Sequence, residues 1–264
     1  MTIYVFLGPT VSRADALAEL PAHYLPPAEM GDIFVVAEQQ PEAVLLIDGL
    51  FDCTPSVWHK EILFALSRGI PVYGSSSMGA LRAAELAPFG MVGVGRIFEW
   101  FAQGTLTDDD EVAVVHGSIE SGYAPISEAM VNIRYALTLA EERGLISPAD
   151  RSSLTDVAKG LFYAERLWPT ILARGKQAGV PEGTLGALRG FLEKEQPNLK
   201  RSDALQLLRH VRSLGPSGLP RPQVTFDLEW TTFWATMITK EAGARRRALF
   251  GDSTGRDASG PDRV

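Results

Sequence analysis

Short apolar runs alternate with amphipathic stretches through the first third of the chain. Ile3 to Leu7 is apolar and stops at Gly8-Pro9, which predicts a buried strand. Ser12 to Leu20 reads as a short helix with Ser12 at its N-cap. Ile33 to Ala37 reads as a second strand, and Ala43 to Ile47 as a third that runs into the turn pair Asp48-Gly49. Thr54-Pro55 has the form of an N-cap followed by proline at the first helical position. It predicts a helix to about Arg68, closed by Gly69. Ile70 to Tyr73 is the next strand, and a helix from near Met78 to about Leu86 ends before Pro88. This strand–helix rhythm predicts parallel pairing through right-handed crossovers.

From Phe89 the pattern changes. Gly90, Gly93 and Gly95 precede a short helical or mixed segment, Ile97 to Phe101. An acidic run, Thr107 to Glu111, leads to a predicted strand from Val112 to Val115 that ends at His116-Gly117. Beyond Ser127 apolar residues recur near every third and fourth position. Helices are predicted over Ala129 to Arg143, Ser153 to Gln177, Thr184 to Glu195, Ser202 to Arg212 and Val224 to Leu249. Leu214 to Pro222 reads as a Pro/Gly linker, and no internal repeat is visible. The expected fold class is α/β: a parallel-sheet, Rossmann-like domain over residues 1–125, a mostly helical region over 126–250, and a disordered tail over 251–264. The helical region can instead pack as part of one domain.

Composition narrows the function classes. The chain has 264 residues, of which 45% are hydrophobic and 22% charged, an ordinary globular balance. Cys53 is the single cysteine, so neither a disulfide framework nor a Cys-rich metal site is expected. A net charge of −7 argues against broad nucleic-acid binding. The start lacks the basic and apolar regions of a signal peptide, and no run of 18 apolar residues predicts a membrane span. A cytoplasmic protein without a cofactor or metal is expected.

The candidate chemistry lies where the predicted strands end. If those strands share one sheet, Asp48, His59, Lys60 and the run Gly74-Ser75-Ser76-Ser77-Met78-Gly79 approach one rim, where open α/β sheets bind ligands. Ser77 stands where a strand hands over to a helix. The N–H groups near Met78 and Gly79 there suit an oxyanion, and Arg82 adds charge. The order Ser75-x-Ser77-x-Gly79 is one glycine short of a nucleophile elbow. The bland account of the serines is turn formation and helix capping. Lys60 or His59 is the expected base for Ser77, and His116 is a third candidate. Arg82 reads either as a partner of Glu85 or as a carboxylate fork. Asp108 to Glu111 suits a Mg²⁺ ion in principle, but a solvated turn is the favoured reading.

Five ordered blocks together resemble the TfuA-like family. They are Ile47-Asp48-Gly49, Val57 to Ile62, Gly74 to Leu86, Gly90 to Phe101 and Asp108 to Gly117. The resemblance implies a partner of a YcaO-type enzyme, which uses ATP to activate a peptide amide; together they would make a backbone thioamide. It also implies that sulfide comes from a ubiquitin-like sulfur carrier ending in a thiocarboxylate. The positions matching the family motif are His59, Lys60, Ser77, Met78, Gly79, Arg82 and His116. Two functions follow as expectations. One is a thiocarboxylate hydrolase with Ser77 as nucleophile that also stimulates YcaO. The other is a non-catalytic adaptor that binds YcaO and the carrier.

Overall fold

A computed structural model describes residues 2–50, 54–215 and 218–251. The first half runs β1 (Ile3–Phe6), α1 (Arg13–Glu19), β2 (His23–Leu25), α2 (Asp32–Glu38), β3 (Ala43–Leu46), α3 (His59–Ser67), β4 (Val72–Ser75), α4 (Met78–Leu86), β5 (Val92–Val94) and α5 (Arg96–Ala102). After a long irregular stretch come α6 (Met130–Glu142), α7 (Pro148–Lys159), α8 (Trp168–Gln177), α9 (Glu182–Glu195), α10 (Leu199–Leu214) and α11 (Thr232–Phe250). The strands form one all-parallel sheet in the order β2-β1-β3-β4-β5. This is the Rossmann-like α/β architecture expected, with the strand order reversing between β1 and β3.

Each strand alternates its side chains between two apolar layers. Phe6, Val44, Leu46 and Val72 face one layer, covered by α2, α3 and α4. Ile3, Val5, Leu45, Ile47 and Tyr73 face the other, covered by α1. Both layers are completed from the far end of the chain. Ala204, Leu205, Leu207, Leu208 and Val211 of α10 join the α1 layer, and Trp234 and Ile238 of α11 join the α2 layer. Helices α6 to α9 instead gather around their own core of Met130, Ile133, Leu137, Leu154, Ile171 and Leu188. The helical half is therefore divided: α6 to α9 form an appended bundle, whereas α10 and α11 are part of the sheet's cover.

Several elements differ from the sequence expectation. Ile33 to Ala37 is helical, inside α2, because a short run buried on all sides has no periodicity to separate helix from strand. The second strand is the three-residue β2, and β5 was not anticipated. Helix α3 begins at His59 rather than after Thr54, where Glu61 Oε1 accepts the Trp58 N–H at 3.2 Å. Val112 to Val115 is not a strand; the Val115 N–H donates to Ser127 Oγ at 2.8 Å. The predicted helix over 153–177 is interrupted at Gly160 and restarts at Trp168. Helix α11 starts only at Thr232. Cys53 and the expected tail beyond Gly251 lie outside the described residues.

Glu61, in the first turn of α3, is fully buried, and burial pushes its carboxyl up to about 7. Between the ordinary glutamate value and about 7 the folded chain holds a proton that the unfolded chain has lost. Stability contributed by this group is present in mild acid and declines as pH rises towards 7. Glu61→Gln should remove that slope and exceed the parent by about 1–3 kcal/mol at pH 8, read from denaturant unfolding at pH 5 and pH 8.

Candidate functional site

Phe6, Leu46 and Gly74 are register partners across β1, β3 and β4. Two residues further on, the chain reaches Gly8, Asp48 and Ser76 along the carboxyl rim. Gly8 and Asp48 lie at the point where strand order reverses, the place where such sheets bind ligands. Asp48 is buried, and its carboxylate ties the two strand ends together. Oδ2 accepts the Gly8 and Thr10 N–H groups at 2.9 and 3.2 Å, and Oδ1 accepts the Thr10 hydroxyl at 2.6 Å. Asp48 is thus a structural clasp of the rim.

The serine run turns the chain from β4 into α4. Ser75 is locked inward, its hydroxyl within reach of the carbonyls of Val94 at 2.7 Å and Asp203 at 3.0 Å. Ser76 has φ +68°, in the left-handed region, and its Oγ is buried without a hydrogen-bond partner. Ser77 is 4% exposed and its side chain makes no capping bond. Two close approaches force this geometry. A Cβ on Gly79 would lie 1.8 Å from the Leu46 carbonyl oxygen, and one on Gly74 would lie 2.1 Å from the Gly79 oxygen. The Gly79 N–H points back to the Ile47 carbonyl at 3.3 Å. Of the two expected oxyanion donors, Met78 keeps the freer N–H.

The expected bases have partners outside the serine run. His59 Nε2 pairs with Glu85 Oε2 at 2.8 Å, and the same oxygen accepts from Arg82 Nη1 at 2.7 Å. Arg82 Nε also donates to the Val57 carbonyl at 3.0 Å. Burial would raise the Glu85 carboxyl, but bonds from His59 and Arg82 outweigh it and hold it below the usual range. Lys60 sets its ammonium 5.8 Å from the Trp234 ring. His116 Nδ1 lies 2.8 Å from the Gly117 carbonyl, its ring edge-on to Tyr123. Among the described residues, none of these three hydrogen-bonds a serine of the run. The acidic residues Asp108, Asp110 and Glu111 lie close enough to hold an ion, but Lys159 bridges all three.

Residues 48–167 match the model of a protein family described as TfuA-like protein. Over that span, a little under half of the chain, the sequence is similar to the TfuA-like family. No curated protein matches the chain. The TfuA-like span begins at the clasp residue Asp48 and contains the serine run, His59, Lys60, Arg82 and His116. It contains neither Thr10 nor α10.

Beside this rim is a polar group that sequence reasoning missed. Lys200, in the first turn of α10, is only 4% exposed, and its ammonium donates to the Val112 carbonyl at 2.9 Å. Burial pushes this ammonium below the usual lysine range, opposed by the charges of Asp48 and Glu128. Asn132 joins the pieces: its Oδ1 accepts the Lys200 N–H at 3.0 Å and its Nδ2 donates to Glu128 Oε1 at 2.9 Å. One turn after Lys200, Asp203 offers its carbonyl to Ser75. No local motif marks Lys200; it occurs in an ordinary amphipathic helix, and only the packing of α10 on the sheet brings it to the rim. Ser76 was equally hidden, because a Ser-Ser-Ser run does not say which residue takes the positive φ.

Ser76→Gly should test whether the left-handed turn carries strain. Glycine adopts that φ freely and removes an unpartnered buried hydroxyl. The variant should match the parent or gain about 0.5–1 kcal/mol in equilibrium unfolding.

Proposed function

We propose that this protein serves a YcaO-type enzyme in peptide thioamidation by releasing sulfide from a thiocarboxylated, ubiquitin-like carrier. The observation that carries the reading is the buried serine run at the strand-to-helix turn, at the start of α4 and on the carboxyl rim of a parallel sheet. Similarity to the TfuA-like family over residues 48–167 supports the YcaO association. Among the described residues no helix is long and apolar enough to cross a membrane.

In this reading the Ser77 oxygen attacks the carbonyl carbon of the thiocarboxylate. The C–S bond breaks, the serine proton passes to sulfur, and hydrosulfide leaves an ester on the enzyme. Water then cleaves the ester, restores the hydroxyl and releases a carboxylate and a proton. The Met78 N–H and the positive end of α4 stabilise the oxyanion. Hydrosulfide is a better leaving group than an amine, so the reaction asks less of a base than amide cleavage does. One observation favours the non-catalytic adaptor instead: His59 is engaged by Glu85 and Lys60 rests over Trp234, so no expected base is poised on Ser77.

Purified protein incubated with thiocarboxylated carrier, with sulfide measured over time, separates the two. Ser77→Ala should lower the release rate by about 10³-fold or more while leaving carrier binding intact. Unchanged release in Ser77→Ala with loss in Ser76→Ala would move the nucleophile one residue back. A parent protein that binds carrier and YcaO but releases no sulfide is the adaptor.

A further inference from the structure

A cavity of about 260 Å³ opens at the reversal point of the sheet, lined by Pro9, Thr10, Glu128, Asn132, Trp168 and Lys200 among others. Its connection to the rim is direct. Thr10 gives its hydroxyl to the clasp carboxylate of Asp48, and Lys200 lies one turn before the residue whose carbonyl meets Ser75. The cavity therefore adjoins the rim at its Asp48 end, and the serines of the turn are not among its lining residues.

An ammonium has three N–H donors. Among the described residues, that of Lys200 has one acceptor, the Val112 carbonyl, and no carboxylate within 4.0 Å. Leaving a buried charge so weakly paired is costly. The neighbouring acids do not discharge it. Asp48 is already held by three donors from the β1 turn. Glu128 is engaged by Asn132 and the Ala129 N–H. The other cation on the wall, Arg166, spends its guanidinium on Asp110 and the Ala158 carbonyl. Lys200 is thus the charge in this cavity with donors to spare. Pro9, Pro125, Pro169 and Trp168 give the cavity rigid apolar walls, which suit an unbranched chain end better than a bulky side chain.

We infer that Lys200 receives the anionic carboxy-terminal end of an extended polypeptide in this cavity. The inference rests on the carrier reading, since it names the group that would hold the thiocarboxylate, or the carboxylate left after sulfide departs. Lys200 is a binding residue in this account; Asn132 is a positioning residue, because it fixes the Lys200 backbone and Glu128 together.

The test uses the full-length protein and a fluorescent octapeptide ending in two glycines, prepared with a free carboxylate and as the C-terminal amide. The carboxylate form should bind the parent protein at least tenfold more tightly than the amide. Lys200→Met and Lys200→Gln should each abolish that preference and raise KM for carrier at least tenfold, with a smaller change in kcat. Equal binding of the two peptides to the parent overturns the inference even if neither variant folds. So does a folded variant that keeps the preference. Failure of the carrier reading looks different: a parent that releases no sulfide yet prefers the carboxylate through Lys200 loses the hydrolysis and keeps the site. Normal KM and sulfide release in Lys200→Met would leave hydrolysis standing and remove Lys200 from it.

Discussion

The backbone of α4 is pressed directly against β3 and β4, and the rest of the site follows from that contact. It exists because residues 74 and 79 carry no side chain: a methyl at either would fall within about the length of a covalent bond or two of a carbonyl oxygen. So close an approach leaves two residues, Ser76 and Ser77, in which to turn from strand to helix. The turn drives the first of them, Ser76, into the left-handed region at a cost on the order of 1–3 kcal/mol. The same turn brings the start of α4 to the carboxyl rim, with its open N–H and partial positive charge beside two hydroxyls.

The rim is assembled from distant parts of the chain. Asp48 joins the ends of β1 and β3, Asn132 joins α6 to α10, and Ser75 joins β4 to α10. On the other face Arg245 of α11 reaches back to buried Asp32 and to Glu29, so the last helix is fastened to the first elements of the fold. Sheet and site therefore share their supports. The helices that complete the two apolar layers also set the walls of the rim, and loosening α10 would disturb Lys200 and Ser75 together.

Much of the fold could be read from patterning. Ile3 to Leu7, Ala43 to Ile47 and the Met78 to Leu86 helix were legible because apolar runs there end in strong punctuation, Gly8-Pro9, Asp48-Gly49 and Pro88. Ile33 to Ala37 was not, since five buried residues in succession look alike as strand or helix. His23 to Leu25 was missed because three residues show no alternation. In the site, Asp48 and the serine run were visible as strand-end chemistry. The partners of His59 and Lys60 were not legible, because helix-face arithmetic places a residue on a stripe but does not say which neighbour claims it. Glu85 claims His59, and Trp234, from 174 residues further along, lies beneath Lys60. Lys200 was invisible for the same reason: its position depends on a helix folding back across the sheet.

The match over residues 48–167 stops short of both Thr10 and Lys200. The hydroxyls of the turn lie inside the matched span, whereas Lys200 on the cavity wall lies outside it. Two proteins alike throughout the shared span can present different groups at the floor and wall of this cavity, and so differ in what they admit. Sorting such proteins by ligand calls for aligning the β1 turn and the start of α10, positions that likeness in the middle of the chain does not fix.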